Sequence, residues 1–504
     1  MSLPRWLEPL LDAEQMRATD KWAIEERRVP SLELMERAGE GLARVVAQHA
    51  PAGRIAILCG KGNNGGDGLV AARLLRGAGR DADVLAVWPP EELRGDAAEQ
   101  LRRLPGDPPA AFAAERLDGA ALLVDALLGT GSTGAPRDPA GSVIEAVNAA
   151  GAPVVAADVP SGVDASTGEV AGAAVRAVAT ATFHAAKPGL WINPGKEHSG
   201  AVDVIDIGIP SGGLADPAIG LIGEGVLAAV PHRESGSTKF SSGNVVVIGG
   251  SAGLTGAPTM SAQAAMRAGA GYVTVATAQQ LQSTFALRLL EAMTIGLPSD
   301  DGDLGMDALE PALKAIERAD AVVLGPGLGR AAGTQALVHE LAGRIDVPLV
   351  VDADGLNALA EVFPGPLPGR DAPTVLTPHA GELGRLLGIE SAEVGRHRLA
   401  HARDAAARSG AIVVLKGDDT LVAVPDGSVA VSPGGAPALA TAGTGDVLSG
   451  VLGALLAKGL SAEHAACAGV LAHVRAGRLA AEPHGPDGVI ASDVIDHLRP
   501  AFKL

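Results

Sequence analysis

Residues 54–75 read RIAILCGKGNNGGDGLVAARLL: an apolar run, a turn holding Gly60, Gly62, Gly65, Gly66 and Gly68, then an Ala/Leu-rich stretch of helical period. A strand that turns through glycines directly into a helix opens a βαβ unit, so this segment predicts a parallel sheet covered by helices. Five glycines exceed what a plain turn needs. They permit positive φ at the turn and let a phosphate approach the N–H groups at the helix start. The spacing is neither GxGxxG nor GxxxxGK[ST], so neither standard nucleotide fingerprint applies.

Working outward, the same alternation runs to about residue 208 and predicts strands at 54–59, 83–88, 121–125, 153–158, 177–183 and 201–205. Upstream, LEPLLDAEQMRATDKWAIEE and SLELMERAGEGLARVVAQHA read as two amphipathic helices broken at Pro30. Downstream the period lapses in IPSGGLADPAIGLIGEG, which places a domain boundary at 211–220. A second alternation follows: NVVVIGG, GYVTVAT, AVVLGPG, PLVVDADG, TVLTPHA, AIVVLKG, TLVAV and SVAVS. With no fixed-period similarity between the halves, the chain divides into two unrelated α/β domains, 1–215 and 222–504.

Composition sets limits on partners. The 504 residues carry 58 carboxylates against 40 Lys and Arg, a net charge of -18, which opposes docking on nucleic acid or an anionic membrane. Small phosphates remain possible, because backbone amides can hold them whatever the global charge. Cys59 and Cys467 alone offer no disulfide framework, and no leader pattern or long apolar run is present, so a soluble cytoplasmic protein is expected. Aromatic residues are 2% of the chain, so cores should be aliphatic and stacking on bound rings should contribute little.

Two more strands of the first half end in acid: Asp125 precedes residues 129–135, and Asp158 precedes Pro160, Ser161 and Gly162. The carboxyl ends of parallel strands line the ligand crevice, so these loops should converge on the glycine turn. Asn64, Asp125 and Ser161 are oxygen donors suited to a hard cation, and Asp158 is the candidate proton carrier. In the second half, ATAGTGDVLSG exposes the amides of Gly443, Thr444 and Gly445 at a helix start, with Asp446 placed to reach an accepting hydroxyl. One strand ends in Thr377, Pro378 and His379, with Glu382 three residues on; another ends in Lys416 and Gly417.

GKGNNGGDGLVAARLL, DALLGTG, DVPSGVDASTGEV and FHAAKPGL, with MERAG upstream, resemble the NAD(P)H-hydrate epimerase domain, which implies a Rossmann-like three-layer αβα fold. The resemblance further implies that Asn63, Asn64, Gly65, Gly66 and Asp67, with Gly129, Thr130, Gly131, Ser132, Thr133, Gly134 and Ala135, hold the damaged dinucleotide. It implies K⁺ at Asn64, Asp125 and Ser161, and Asp158 at the reacting ring. His184 is expected to be structural and Lys187 to close the site.

GGSAGLTGAPTMSAQAAMRAGAGYVTVAT, GPGLG and TPHAGE, with GTGD, resemble the ADP-dependent NAD(P)H-hydrate dehydratase branch of the ribokinase-like fold, a second αβα domain. This implies Ala257, Gly327 and His379 against the hydrated dinucleotide, Lys416, Gly417, Asp418, Asp419, Thr420 and Gly445 against ADP, and Asp446 at the reacting hydroxyl, with Glu382 helping to organise Mg²⁺. KGDDT departs from the commoner KGAGT, so its two acids should either face solvent or weaken nucleotide binding. STKFSSG keeps Lys239 as a candidate phosphate ligand.

The implied activities are interconversion of the R and S hydrates of NADH and NADPH in the first domain, and ADP-dependent dehydration of the S form in the second, releasing AMP and phosphate. The rival reading is a small-alcohol or vitamin-precursor kinase fused to a non-catalytic nucleotide-binding module. A homo-oligomer is expected.

Overall fold

The structure, a computed structural model, describes residues 3–210, 212, 216–363 and 370–503. The chain forms two compact units, one of Pro9–Gly220 and the other of Leu221–Leu504 together with Pro4–Glu8. The expected boundary stretch 211–220, and the expected end of the first domain at 215, include residues outside those described.

In the first unit a seven-stranded sheet runs, in spatial order, Ala110–Ala111, Ala82–Ala86, Ile55–Cys59, Leu122–Ala126, Val154–Ala157, Ala179–Phe183 and Ala201–Ile205. Every neighbouring pair is parallel. Alternation along Ile55–Cys59 shows how the layers arise. Ile55, Ile57 and Cys59 pack into one core with Leu34, Leu42, Leu69 and Leu75, from the helices Ser31–His49 and Asn63–Gly77. Ala56 and Leu58 pack into another with Val143, Ile144 and Val147 of the helix Ala140–Ala149. Successive strand residues face opposite sides, so one buried strand feeds both cores of a three-layer αβα sandwich.

The second unit is also αβα. The strands Ile412–Leu415, Thr374–Leu376, Leu349–Val351, Ala321–Leu324, Asn244–Ile248, Tyr272–Ala278 and Met293–Leu297 are neighbours in that order, all parallel. The TLVAV and SVAVS runs, Leu421–Ala423 and Val429–Val431, join antiparallel instead. The turns at 416–420 and 424–428 are too short for the crossover that a parallel pairing requires.

Two sequence expectations need correction. The helix expected from Leu7 begins at Ala13; Leu7–Leu10 is a strand. Pro9 lacks the N–H a helix interior needs, and Asp12 is a strong cap, accepting from the N–H groups of Glu14 and Gln15 at 2.9 and 2.8 Å. Within the aperiodic stretch, Ile219–Ile222 is a wholly buried strand, too short for its period to register.

Candidate functional site

The loops after Cys59, Ala126 and Ala157 converge at the carboxyl edge of the first sheet and border a cavity of about 650 Å³. Asn63, Asn64, Asp67, Gly129, Thr130, Gly131, Ser132 and Asp158 line it, whereas Gly65, Gly66, Thr133, Gly134 and Ala135 do not. Trp88 and Phe183 border it too, so aromatic surface is available despite its scarcity in the chain.

The glycines act differently from expectation. None of Gly60, Gly62, Gly65, Gly66 and Gly68 has a positive φ. A Cβ on Gly60 would meet the Leu127 carbonyl at 2.0 Å, on Gly65 the Gly60 carbonyl at 1.9 Å, and on Gly68 the Ala126 methyl at 2.7 Å. They let turn, helix and neighbouring strand close on one another. Gly62 faces open space and caps the helix Asn63–Gly77 without a side-chain acceptor, which leaves the N-terminal amides for an anion.

Asp158 has a left-handed φ of 65°, a strained conformation for a residue with a Cβ. Its Oδ2 accepts from the Thr130 N–H at 3.0 Å and hydroxyl at 2.5 Å, and its Oδ1 from Lys187 Nζ at 2.7 Å. Lys187 is fully buried and also donates to Thr182 Oγ1 and the Phe183 carbonyl, both at 2.8 Å. It therefore anchors Asp158 from behind rather than closing the cavity. Burial pushes the Asp158 carboxyl up, but Lys187 and the Thr130 donors together hold it below its ordinary value. His184 takes a φ of 64° in the following turn.

Two further acids face the same cavity. Burial, then the nearby Asp158 and Asp20, push Asp67 well above the usual carboxylate range. Burial also raises Asp20 to about 6, with Lys187 opposing and Asp158 reinforcing the shift. Sequence reasoning missed Asp20. Its only signal is a place one helical turn from buried Met16 on the helix Ala13–Glu25.

Beside the cavity, Asp125 is fully buried and accepts from Ser161 Oγ at 2.6 Å, the Ser161 N–H at 2.8 Å and the Leu127 N–H at 3.2 Å. Burial still lifts it to about 6, against those hydrogen bonds. Asn64 Nδ2 donates to the Leu128 carbonyl at 2.9 Å, while Asn64 Oδ1 is buried with no hydrogen-bond partner. An orphaned amide oxygen beside a destabilised carboxylate fits a bound cation, and an all-oxygen donor set suits a hard one. Among the described residues no cluster of three His, Cys, Asp or Glu side chains could hold a metal.

In the second unit, Lys416 joins the acids. Its Nζ lies 3.0 Å from Asp352 Oδ1 and 3.6 Å from Glu382 Oε2, and a Cβ on Gly445 would approach it to 3.3 Å. Gly443 adopts a left-handed φ of 91° and starts the helix Thr444–Ala457 without a side-chain cap. Asp446, in its first turn, is raised to about 7, by burial first and by Asp352, with Lys416 opposing. Lys416 is half-buried, which lowers it, yet Asp352 and Glu382 hold it above its ordinary value. Asp352 escaped the sequence reading, although it ends its strand in acid as Asp125 and Asp158 do.

The expected substrate loops meet here. Ser261 Oγ lies 3.2 Å from the Ala257 carbonyl and 2.9 Å from that of Asp446, and a Cβ on Gly327 would strike the Leu254 carbonyl at 2.4 Å. His379 caps the helix Ala380–Leu387, its Nδ1 accepting from the N–H groups of Gly381 and Glu382 at 2.9 and 3.3 Å. Burial keeps the ring's pKa below its ordinary value, so at neutral pH its proton sits on Nε2. Glu382 reciprocates by accepting from the His379 N–H at 2.8 Å. With one oxygen in that cap and an ammonium alongside, Glu382 does not fit the expected Mg²⁺ role.

The acids of KGDDT follow neither expected alternative in full. Asp418 is exposed and accepts from the Gly435 N–H at 3.0 Å; Asp419 is fully buried against Arg398 Nε at 2.8 Å. Thr420 Oγ1 donates to the Gly417 carbonyl at 2.7 Å, closing the turn. Lys239 lies over Phe240 and Tyr272, at the opposite edge of the sheet from Lys416, so it does not serve this site as expected.

Fold and sites together define a class: a chain joining a Rossmann-like αβα unit with a carboxylate-lined cavity to a ribokinase-like αβα unit whose candidate base stands at an uncapped helix start. Residues 31–189 match the family model described as YjeF-related protein N-terminus, and residues 245–500 the one described as NAD(P)H-hydrate dehydratase. The bifunctional NAD(P)H-hydrate repair enzyme Nnr of Moorella thermoacetica is 41% identical over 97% of this chain and 96% of its own; that of Salinibacter ruber is 43% identical over 97% and 95%. This chain belongs to the family of bifunctional NAD(P)H-hydrate repair enzymes. A solved ADP/ATP-dependent NAD(P)H-hydrate dehydratase from Bacillus subtilis, co-crystallised with ATP/Mg²⁺, is 29% identical, covers 56% of this chain and 97% of its own, and has a TM-score of 0.48.

Proposed function

We infer that this chain repairs hydrated NADH and NADPH: the first unit interconverts the R and S hydrates, and the second dehydrates the S form at the expense of ADP, releasing AMP and phosphate. The observation that carries the reading is Asp446, a carboxyl poised near neutrality at a helix start whose amides are free for a phosphoryl group, beside Lys416. Asp446 takes the proton from the C6 hydroxyl, ADP phosphorylates the oxygen, the ring nitrogen expels phosphate to leave an N1=C6 iminium, and loss of a proton from C5 then restores the C5=C6 double bond of the reduced ring. Each backbone donor at such a site contributes on the order of 3 kcal/mol to the transition state.

Lys416, Gly417, Thr420 and Gly445 are assigned to ADP, and Ala257, Gly327 and His379 to the hydrated dinucleotide, with His379 offering an Nε2–H donor. Mg²⁺ is assigned to the nucleotide phosphates rather than to Glu382. In the first unit, Asn64, Asp125 and Ser161 would hold K⁺, which would fix the loops bordering the cavity. The dinucleotide is assigned to Asn63, Asp67, Gly129, Thr130, Gly131 and Ser132, with Asp158 at the reacting ring. Free, buried thiols at Cys59 and Cys467 support a reducing, cytoplasmic setting. Among the described residues no helix is long and apolar enough to cross a membrane. Exposed Leu287, Leu290 and Met293, beside an edge strand, support the expected homo-oligomer.

The test supplies R and S hydrated NADH in equal amounts with ADP, Mg²⁺ and K⁺ and follows the reduced-nicotinamide absorbance. The expected result is full recovery by the unaltered chain, recovery of about half at the dehydration rate by Asp158→Asn, and none by Asp446→Asn. A stable phosphorylated product accumulating in place of NADH would favour the kinase reading.

A further inference from the structure

The cavity of the first unit holds a carboxyl group that the reading above leaves idle. Half-buried Asp20 reaches it from the helix Ala13–Glu25, Asp67 from the start of the helix Asn63–Gly77, and Asp158 from a strand end. One ammonium, Lys187, interacts with all three, and it is bonded to Asp158 at 2.7 Å. The other charged groups on the cavity wall are Arg17, Asp96 and Lys61, the last turned to Glu92 at 3.0 Å; the Cys59 thiol lies behind Asp67. Three carboxylates around one ammonium cannot all stay ionised, and their environments pull them apart. Asp158 is held low, Asp67 is pushed well up, and Asp20 is raised by burial to about 6.

We propose that Asp20 is the proton donor of the epimerisation, working opposite Asp158 as acceptor; the proposal rests on reading this cavity as the epimerisation site. The substrate's hydroxyl sits on C6, next to ring nitrogen N1. Asp158 takes the hydroxyl proton, and the freed O–H pair becomes the second bond of a carbonyl. The C6–N1 bond breaks with its pair going to nitrogen, and Asp20 delivers its proton there. An aldehyde and an open enamine result, with no external oxidant or reductant. Rotation about the C5–C6 single bond turns the other carbonyl face to N1. Nitrogen then adds back, its proton returns to Asp20, and Asp158 gives its proton to oxygen. A donor that cycles must meet both substrate and solvent, which suits half-buried Asp20 on the cavity wall better than the buried Asp67, and its pKa of about 6 lies near the working pH.

The experiment follows R-to-S conversion by the full chain with K⁺ and without ADP, from pH 5 to 8, by separating the epimers. ADP-dependent dehydration of the S form by the same preparation reports that the second unit is folded, and the fluorescence of Trp22, Trp88 and Trp191 reports the first. For the unaltered protein kcat/KM should fall about tenfold per pH unit above about 6. Asp20→Asn should lose ~10²–10⁴-fold and lack that limb, and Asp20→Glu should regain part of the rate with the limb restored. Wild-type rates in Asp20→Asn, or a slower variant that keeps the same limb, would overturn the proposal. Asp158→Asn is run alongside. If it is inactive while Asp20→Asn is unimpaired, the proposal alone fails; if it too converts at the wild-type rate, the reading of the cavity fails.

Discussion

At the residue scale, the second site depends on how Asp446 is tuned. Burial is the largest influence and disfavours the carboxylate; Asp352, Glu382 and Asp354 add to it, and Lys416 opposes. A base with a pKa of about 7 is half ionised at neutral pH and protonated below it. Dehydration should therefore rise with pH, with unit slope, up to about 7 and then level off, and Asp446→Asn should cost ~10²–10⁴-fold while moving the KM for ADP little. A profile flat from pH 5 to 8 would remove Asp446 as the base. Asp446 and Asp158 were legible in the sequence because each follows a local signal, a GTGD turn or an acid at a strand end. Asp20 and the anchoring role of Lys187 were not, because each depends on which distant carboxylate faces it; Asp352 carries the same strand-end signal as Asp158, and only its contact with Lys416 marks it out. His379 shows the converse: its capping is wholly local, the imidazole Nδ1 accepting from the N–H groups of Gly381 and Glu382.

At the scale of elements, glycines set how closely helices approach. Gly39, in MERAG, lies where the helix Ser31–His49 crosses the helix Asn63–Gly77. A Cβ there would stand 2.3 Å from Val70 Cβ and 2.9 Å from the Asp67 carbonyl. The second atom belongs to the backbone of a cavity-lining helix and cannot swing aside. Gly39→Ala should then cost about 1–3 kcal/mol by overpacking, read as a lowered midpoint in denaturant at unchanged m, and should slow epimerisation more than dehydration. An unchanged midpoint would mean that the helices separate freely. Apart from Ala110–Ala111 and Met293–Leu297, which this pattern left out, strand positions in both sheets were readable from apolar runs closed by Gly or Asp. Leu7–Leu10 and Ile219–Ile222 were not, since their neighbours in sequence carry a helical or aperiodic pattern and only the sheet edge that accepts them makes them strands. The KGDDT loop was misjudged for a similar reason: Arg398, which neutralises Asp419, comes from a separate helix.

At the scale of the whole molecule, an acidic chain presents few cations at its two candidate sites, which offer uncapped helix starts and ammonium groups already matched to carboxylates. Each unit carries its own acids: Asp158 and its neighbours lie within Pro9–Gly220, and Asp446 and Lys416 within Leu221–Leu504. The compound passing from one activity to the other is a small molecule free to diffuse, so the two activities need not reside in one chain. Asp158→Asn retains the dehydration site, and Asp446→Asn retains the epimerisation site. Given the R and S mixture, the first should stop near half recovery on the dehydration time scale and the second should recover nothing. Mixed together they should restore full recovery, at a rate that rises with the amount of Asp446→Asn until dehydration limits. If the mixture also stops near half, the epimer made in one chain does not reach a site in another, and the two reactions must be coupled within a single polypeptide.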